Sequence, residues 1–336
     1  MATAILAADT RALPDGGEGY EGSVATGFRA AENRILWTGD AGMAASLDDM
    51  IGYEHWIDGC RDAPGGLYTR LSAPVAFADG TAATYGFGLG RGEELGRAVT
   101  SHGGALRGWR SHRLYAPAER VSVVVMFNHL SDARSAAVDL FAAVLGEAQP
   151  MPTHGGAAPD WLGAYVEPQT GLSARIDLDH DARVRVRYGH WPDTLDLQAD
   201  GSASSPGGVR LRPEGDALWM ERPGENQSSL LRRAADGDGS RDVTGVYRCE
   251  ALGAELIVAD AGGALFGSFS GFLGQGRMER LEPIAADLWA LPCWRALDHT
   301  PPGDWTLAFH RPGGGSPSRV EVGCWLARGL IYDRCG

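Results

Sequence analysis

Ser101-His102-Gly103-Gly104-Ala105-Leu106-Arg107-Gly108-Trp109-Arg110-Ser111, followed by Val121-Ser122-Val123-Val124-Val125-Met126-Phe127, is the stretch whose reading decides the fold. Residues 106–115 and 120–128 are predicted as two strands joined by Ala116-Pro117-Ala118-Glu119, a turn by composition. The valine run is too apolar for an edge and predicts a central, covered strand. Ser131 is placed as the cap of a helix with Ala133, Ala137, Val138, Leu140, Phe141, Val144 and Leu145 inward and Gly146 as its stop. A helix following a hairpin in this way folds back over the sheet.

Working outward, Ser46-Leu47-Asp48-Asp49 has the serine and third-residue carboxylate of a capping box. Leu47, Met50, Ile51, Glu54 and Ile57 follow at helical spacing, and Gly59 supplies a stop. Tyr85-Gly86-Phe87-Gly88-Leu89-Gly90 alternates large side chains with none, as in a strand approached closely by other backbone. Past the linker-like Gln149–Pro159 the helical signal fades and a repeat emerges. Leu162-Gly163-Ala164-Tyr165 recurs as Thr244-Gly245-Val246-Tyr247, Gly171 as Gly253 and Ile176 as Val258, each displaced by the same interval. Short alternating segments between glycine and aspartate turns mark antiparallel β-structure. The expected organisation is α+β: a mixed domain at 1–147, a linker at 148–158, and similar all-β barrels at 159–237 and 238–336.

Composition narrows the function. The 48 glycines among 336 residues make one in seven, about twice the usual ~7% share, which suits many tight turns. A net charge of −13 argues against nucleic-acid binding, which needs clustered cations. No apolar run approaches the ~20 residues of a membrane span. The five cysteines are an odd, widely spaced set without metal-ligand spacing, and the N-terminus has no basic region before its short apolar run. Both point to the cytoplasm. Asp177-Leu178-Asp179-His180-Asp181 reads as a strand end and turn, and neither a metal nor a cofactor is expected.

His102 carries the chemistry. An imidazole on a strand, followed by Gly103 and Gly104, can hold a proton or stabilise developing charge while a substrate lies against backbone free of Cβ atoms. A second His-Gly-Gly, at His154, falls in the linker and is read as inert. The order of elements around His102 resembles the penicillin-recognising serine hydrolases, in the branch whose usual Lys-Thr-Gly strand becomes His-x-Gly. Gly39–Ser46 also looks like that family's small-residue approach to a helix. The whole chain is most similar to the D-aminopeptidases, in which a β-lactamase-like catalytic domain is followed by two antiparallel β-barrels.

That resemblance implies an enzyme releasing N-terminal D-amino acids from peptides and amides, working as a homodimer without a cofactor. It also implies a specificity loop from the last barrel, here Pro292, Cys293, Trp294, Arg295, Ala296, Leu297, Asp298, His299, Thr300, Pro301 and Pro302. An exopeptidase that requires a free α-ammonium needs an acceptor-only group beside it. Asp298, stiffened by Pro301 and Pro302, is the candidate, and Asp304 is read as a turn residue. The family's nucleophile comes from Ser-x-x-Lys, yet the thirty basic residues of this chain are all arginine. None of the serines near His102 can therefore serve, and Ser101 is excluded because adjacent strand residues point to opposite faces. The expectation is a C-terminal portion lacking the Ser-x-x-Lys and Tyr-x-Asn motifs, inactive alone. The rivals are a related esterase or β-lactam-binding hydrolase, with no use for Asp298, and a non-catalytic β-rich binding protein or scaffold.

Overall fold

The capping box at Ser46 forms: Ser46 Oγ accepts from the Asp49 amide at 3.1 Å, and Asp49 Oδ2 accepts from the Ser46 amide at 3.2 Å. It opens helix α1 (Leu47–Cys60). The structure is a computed structural model describing residues 1–6, 16–31, 42–147, 158–179, 183–190, 192–235, 237–271, 274–293 and 303–335. Helix α1 docks through Asp49, Glu54 and Ile57. Its buried stripe is rotated from the expected one, and Leu47 and Ile51 are exposed.

The chain divides into two units, Met1–Met151 and Pro152–Gly336. The first holds an antiparallel sheet of five strands in sequence order: Tyr85–Gly86, Leu89–Glu94, Arg97–Leu106, Trp109–Ala116 and Val121–Phe127. Two-residue turns set the hairpins. Phe87 and Gly88 both have positive φ (54° and 74°), as a turn matching the strand twist requires. The expected continuous strand at 85–90 is therefore a tight hairpin. Arg107-Gly108 likewise breaks the expected strand at 106–115, pairing Leu106 with Trp109. The valine run, expected to be central, ends the sheet, and Trp109–Ala116 is its described neighbour. Its burial comes from coverage of its faces: Val123 and Val125 enter a core with Leu114 and Phe141.

Helix α2 spans Leu67–Leu71, and α3 (Ala133–Leu145) covers the sheet. The cap of α3 is Asp132, not Ser131: its carboxylate accepts from the Arg134 and Ser135 amides at 2.9 and 3.0 Å. A carboxylate at the helix start also opposes the positive end of the dipole. Gly146 terminates the helix in the left-handed region at φ 69°. Leu140 and Val144 are exposed, because α3 docks on the narrower stripe of Ala133, Ala137 and Phe141.

The second unit is all β. Eight strands from Gly163–Val166 to Gln227–Arg233 close into a barrel around Tyr165, Leu172, Ile176, Val186 and Leu218. A ten-stranded antiparallel sheet follows. It is barrel-like, since strands from both halves of its order send Leu256, Leu265, Trp289, Leu307, Val320 and Tyr332 into one core. The repeat has a structural counterpart. Gly163 pairs with Ile176 as Gly245 pairs with Val258, and both glycines have φ near 140° (137° and 149°). The fold is thus mostly β, with two barrel-like sheets and few helices. No described helix is long and apolar enough to cross a membrane.

Candidate functional site

His102 lies mid-strand on Arg97–Leu106, paired directly with Arg113. Alternation assigns the faces. Val99 joins the core under α3, whereas the Thr100 hydroxyl meets the Tyr68 hydroxyl of α2 at 2.9 Å. His102 and Gly104 share the Thr100 face, and Gly103 shares the face of Val99. The two glycines thus clear opposite sides. At Gly104 a Cβ would stand 2.4 Å from Ser111 Oγ; at Gly103 it would meet His112 Nδ1 at an ordinary 3.5 Å. His112 is 8% exposed. Burial, with Arg134 nearby, holds its imidazole down to about 4, so it is neutral in the fold.

The His102 side chain is exposed, and its Nε2 lies 2.9 Å from Tyr85 Oη. A hydroxyl bound to one ring nitrogen fixes the ring's orientation and its tautomer. Beneath, Arg113 forms a two-pronged pair with Glu54 of α1 at 2.6 and 2.8 Å, and Ser122 Oγ donates to Glu54 at 2.9 Å. The pair locks α1 to the strand next to His102. Sequence reasoning placed Tyr85 on a strand but not beside His102. The signal was the Phe87-Gly88 turn, which returns the chain so that Leu89–Glu94 pairs with Arg97–Leu106.

In the second unit, Pro292 and Cys293 end the strand Leu288–Cys293. Trp294, Arg295, Ala296, Leu297, Asp298, His299, Thr300, Pro301 and Pro302 lie outside the described residues, as does His154. The chain resumes in Gly303–His310, with Cys293 opposite Gly303 and Pro292 opposite Asp304. Asp304 is therefore a strand residue, not a turn, and it is 7% exposed. The Asp177–Asp181 cluster is partly described. Asp177 binds Arg187 at 3.3 Å and Asp179 binds Arg185 at 2.8 Å, so both carboxylates are held by arginines.

Two linked β-sheets built on one repeated corner are the part of the fold that a family model recognises. The model of D-aminopeptidase, domain B, matches residues 154–333. The chain belongs to the D-aminopeptidase family. It is 54% identical over 342 residues to the D-aminopeptidase of Gluconobacter oxydans, covering 99% of this chain and 64% of that protein. To the D-aminopeptidase of Brucella canis it is 43% identical over 334 residues, with the same two coverages. The chain thus spans less than two thirds of the length of these relatives. Among solved structures, the octameric penicillin-binding protein homologue from Pyrococcus abyssi matches 64% of this chain and 53% of its own. Its TM-score is 0.36 at 16% identity, too distant a likeness to argue from.

Proposed function

We propose that this chain is the larger portion of a D-stereospecific aminopeptidase-type serine hydrolase that releases N-terminal D-amino acids from peptides and amides. The observation that carries the reading is the 54% identity to the Gluconobacter oxydans D-aminopeptidase across 99% of this chain. Residues 1–147 would form part of a β-lactamase-like α+β domain, with 148–158 the linker and 159–237 and 238–336 the two β-barrel domains. The protein would act as a cytoplasmic homodimer.

In this reading a serine from outside these 336 residues attacks the carbonyl of the first residue, since a lysine to activate it is absent here. His102, oriented by Tyr85, handles the proton or the developing charge. Gly104 clears its face for the substrate, and Gly103 offers backbone on the same strand. Asp298 accepts from the substrate ammonium, and Pro292–Pro302 form the loop that selects it.

The test grafts this chain in place of the matching stretch of the Gluconobacter oxydans relative. Asp298→Ala in the graft should lower turnover of D-alanine amide by about a hundredfold, the loss of a charge-assisted contact. Ester and N-acetylated substrates should be spared. Equal losses on both kinds of substrate would favour the esterase reading, and an inactive graft would count against the enzyme reading.

A further inference from the structure

The two strand ends that carry the candidate specificity loop are seated on the first barrel. Along Gly303–His310, Trp305, Leu307 and Phe309 point into the second core. Alternation therefore turns Asp304 and Thr306 outward. Thr306 Oγ1 accepts from the Ser173 amide of the first barrel at 2.8 Å. One turn of the pleat away, Asp304 Oδ2 meets Arg187 Nη1, also of the first barrel, at 3.2 Å. Gly303, at φ 124°, lies so close to the backbone of His190 that a Cβ would fall 2.4 Å from its carbonyl oxygen. Arg187 is fixed in turn by Glu282 at 2.7 Å and Asp177 at 3.3 Å. Trp325 adds a second tie, its amide donating to the Gly189 carbonyl at 3.2 Å and its ring 4.5 Å from that of His190.

As a source of stability Asp304 is a poor choice. Burial lifts its carboxyl above the usual carboxylate range despite the pull of Arg187. The contact with Arg187 is not aligned as a hydrogen bond, and Oδ2 has no hydrogen-bond partner. Arg187 would keep Glu282 and Asp177 without it. A neutral residue of the same shape would avoid the cost of desolvating the charge. A charge kept at a cost, where a chain segment leaves its strand, fits a role in fixing geometry rather than in holding the fold.

We propose that Asp304, held by Arg187, is a positioning residue that fixes the exit of segment 294–302 against the first barrel and so sets how Asp298 is presented to the substrate ammonium. The inference rests on the ammonium-anchor role proposed above for Asp298.

Asp304→Asn tests it, in the graft and in the 336-residue chain. In the graft, KM for D-alanine amide should rise about tenfold with kcat nearly kept, and the preference for free over N-acetylated amine should fall in step. The melting temperature should stay within about 2 °C, the shift of a surface-sized change. In the 336-residue chain, tryptic cleavage at Arg295 should quicken about tenfold at that unchanged melting temperature, reporting local release of the segment. Unchanged KM, selectivity and cleavage in a folded Asp304→Asn protein, with Asp298→Ala still damaging, would overturn this inference alone. If Asp298→Ala proves harmless, the anchor role itself falls, and the cleavage rate at Arg295 then decides whether Asp304 seats the segment. A protein that aggregates, or melts more than about 8 °C lower, would make Asp304 a structural residue and overturn the proposal.

Discussion

Tyr85 Oη and His102 Nε2 lie 2.9 Å apart, with ring centroids at 5.8 Å. The hydroxyl is the described partner of the imidazole, so it governs which ring nitrogen carries the proton and where the ring points. Tyr85→Phe should change the imidazole nitrogen chemical shifts of His102 in the 336-residue chain while leaving its backbone amides in place. In the graft it should lower kcat for D-alanine amide by about tenfold with little change in KM, the signature of a contact used beyond the ground state. Unaltered nitrogen shifts would remove Tyr85 from any role at the site.

The repeated corner gives a second prediction. Tyr165 Oη donates to the Trp161 carbonyl at 2.7 Å, and Tyr247 Oη donates to the Val243 carbonyl at 2.8 Å. Arg233 lies over the first ring at 5.1 Å and Arg334 over the second at 5.8 Å. Both tyrosines are fully buried, so each phenylalanine variant strands a buried carbonyl. Each should cost about 1–2 kcal/mol, with the two losses similar because the corners are alike. Urea unfolding of the 336-residue chain measures both, and a large inequality would show that the two corners do not work in the same way.

How much of this was legible beforehand depended on whether the signal was local. The capping box at Ser46, the glycine stop at Gly146 and the repeat at Tyr165 and Tyr247 each depend on residues close in sequence, and each appears in the structure. Sheet position does not follow from apolarity, because an end strand covered on its faces needs the same residues as a central one. That is how the strand Val121–Phe127 came to be read as central. Turns of two residues were hidden for a related reason: Phe87-Gly88 and Arg107-Gly108 sit inside runs that otherwise alternate like a strand. Partners distant in sequence were illegible altogether. Nothing near Asp304 announces Arg187, and nothing near Arg113 announces Glu54.

Buried His112 supplies the pH prediction. Its folded-state value of about 4 lies below the ordinary value of about 6.5. The unfolded chain therefore takes up a proton that the folded chain refuses. The stability it contributes is complete above about pH 6.5 and is lost as the pH falls toward 4, where the folded imidazole also titrates. Urea midpoints should decline through that window, and His112→Gln should flatten the decline even if it lowers stability at neutral pH. An identical slope in the variant would assign the pH dependence to other groups.

Glu54 and Arg113 are 4% and 7% exposed, and Arg113 Nη1 has no hydrogen-bond partner. Removing only the carboxylate leaves a guanidinium buried and uncompensated, so Glu54→Ala should cost about 3–5 kcal/mol, whereas replacing both with methionine should cost far less. The effect should also reach the site. Arg113 stands directly opposite His102 in the sheet, and the pair with Glu54 is what holds α1 against that strand. Hydrogen exchange across Arg97–Leu106 should therefore accelerate in Glu54→Ala and return toward the parental rate in the double methionine variant. If exchange stays slow in Glu54→Ala, the ion pair is not what fixes the strand, and the rigidity of His102 must come from its sheet neighbours alone.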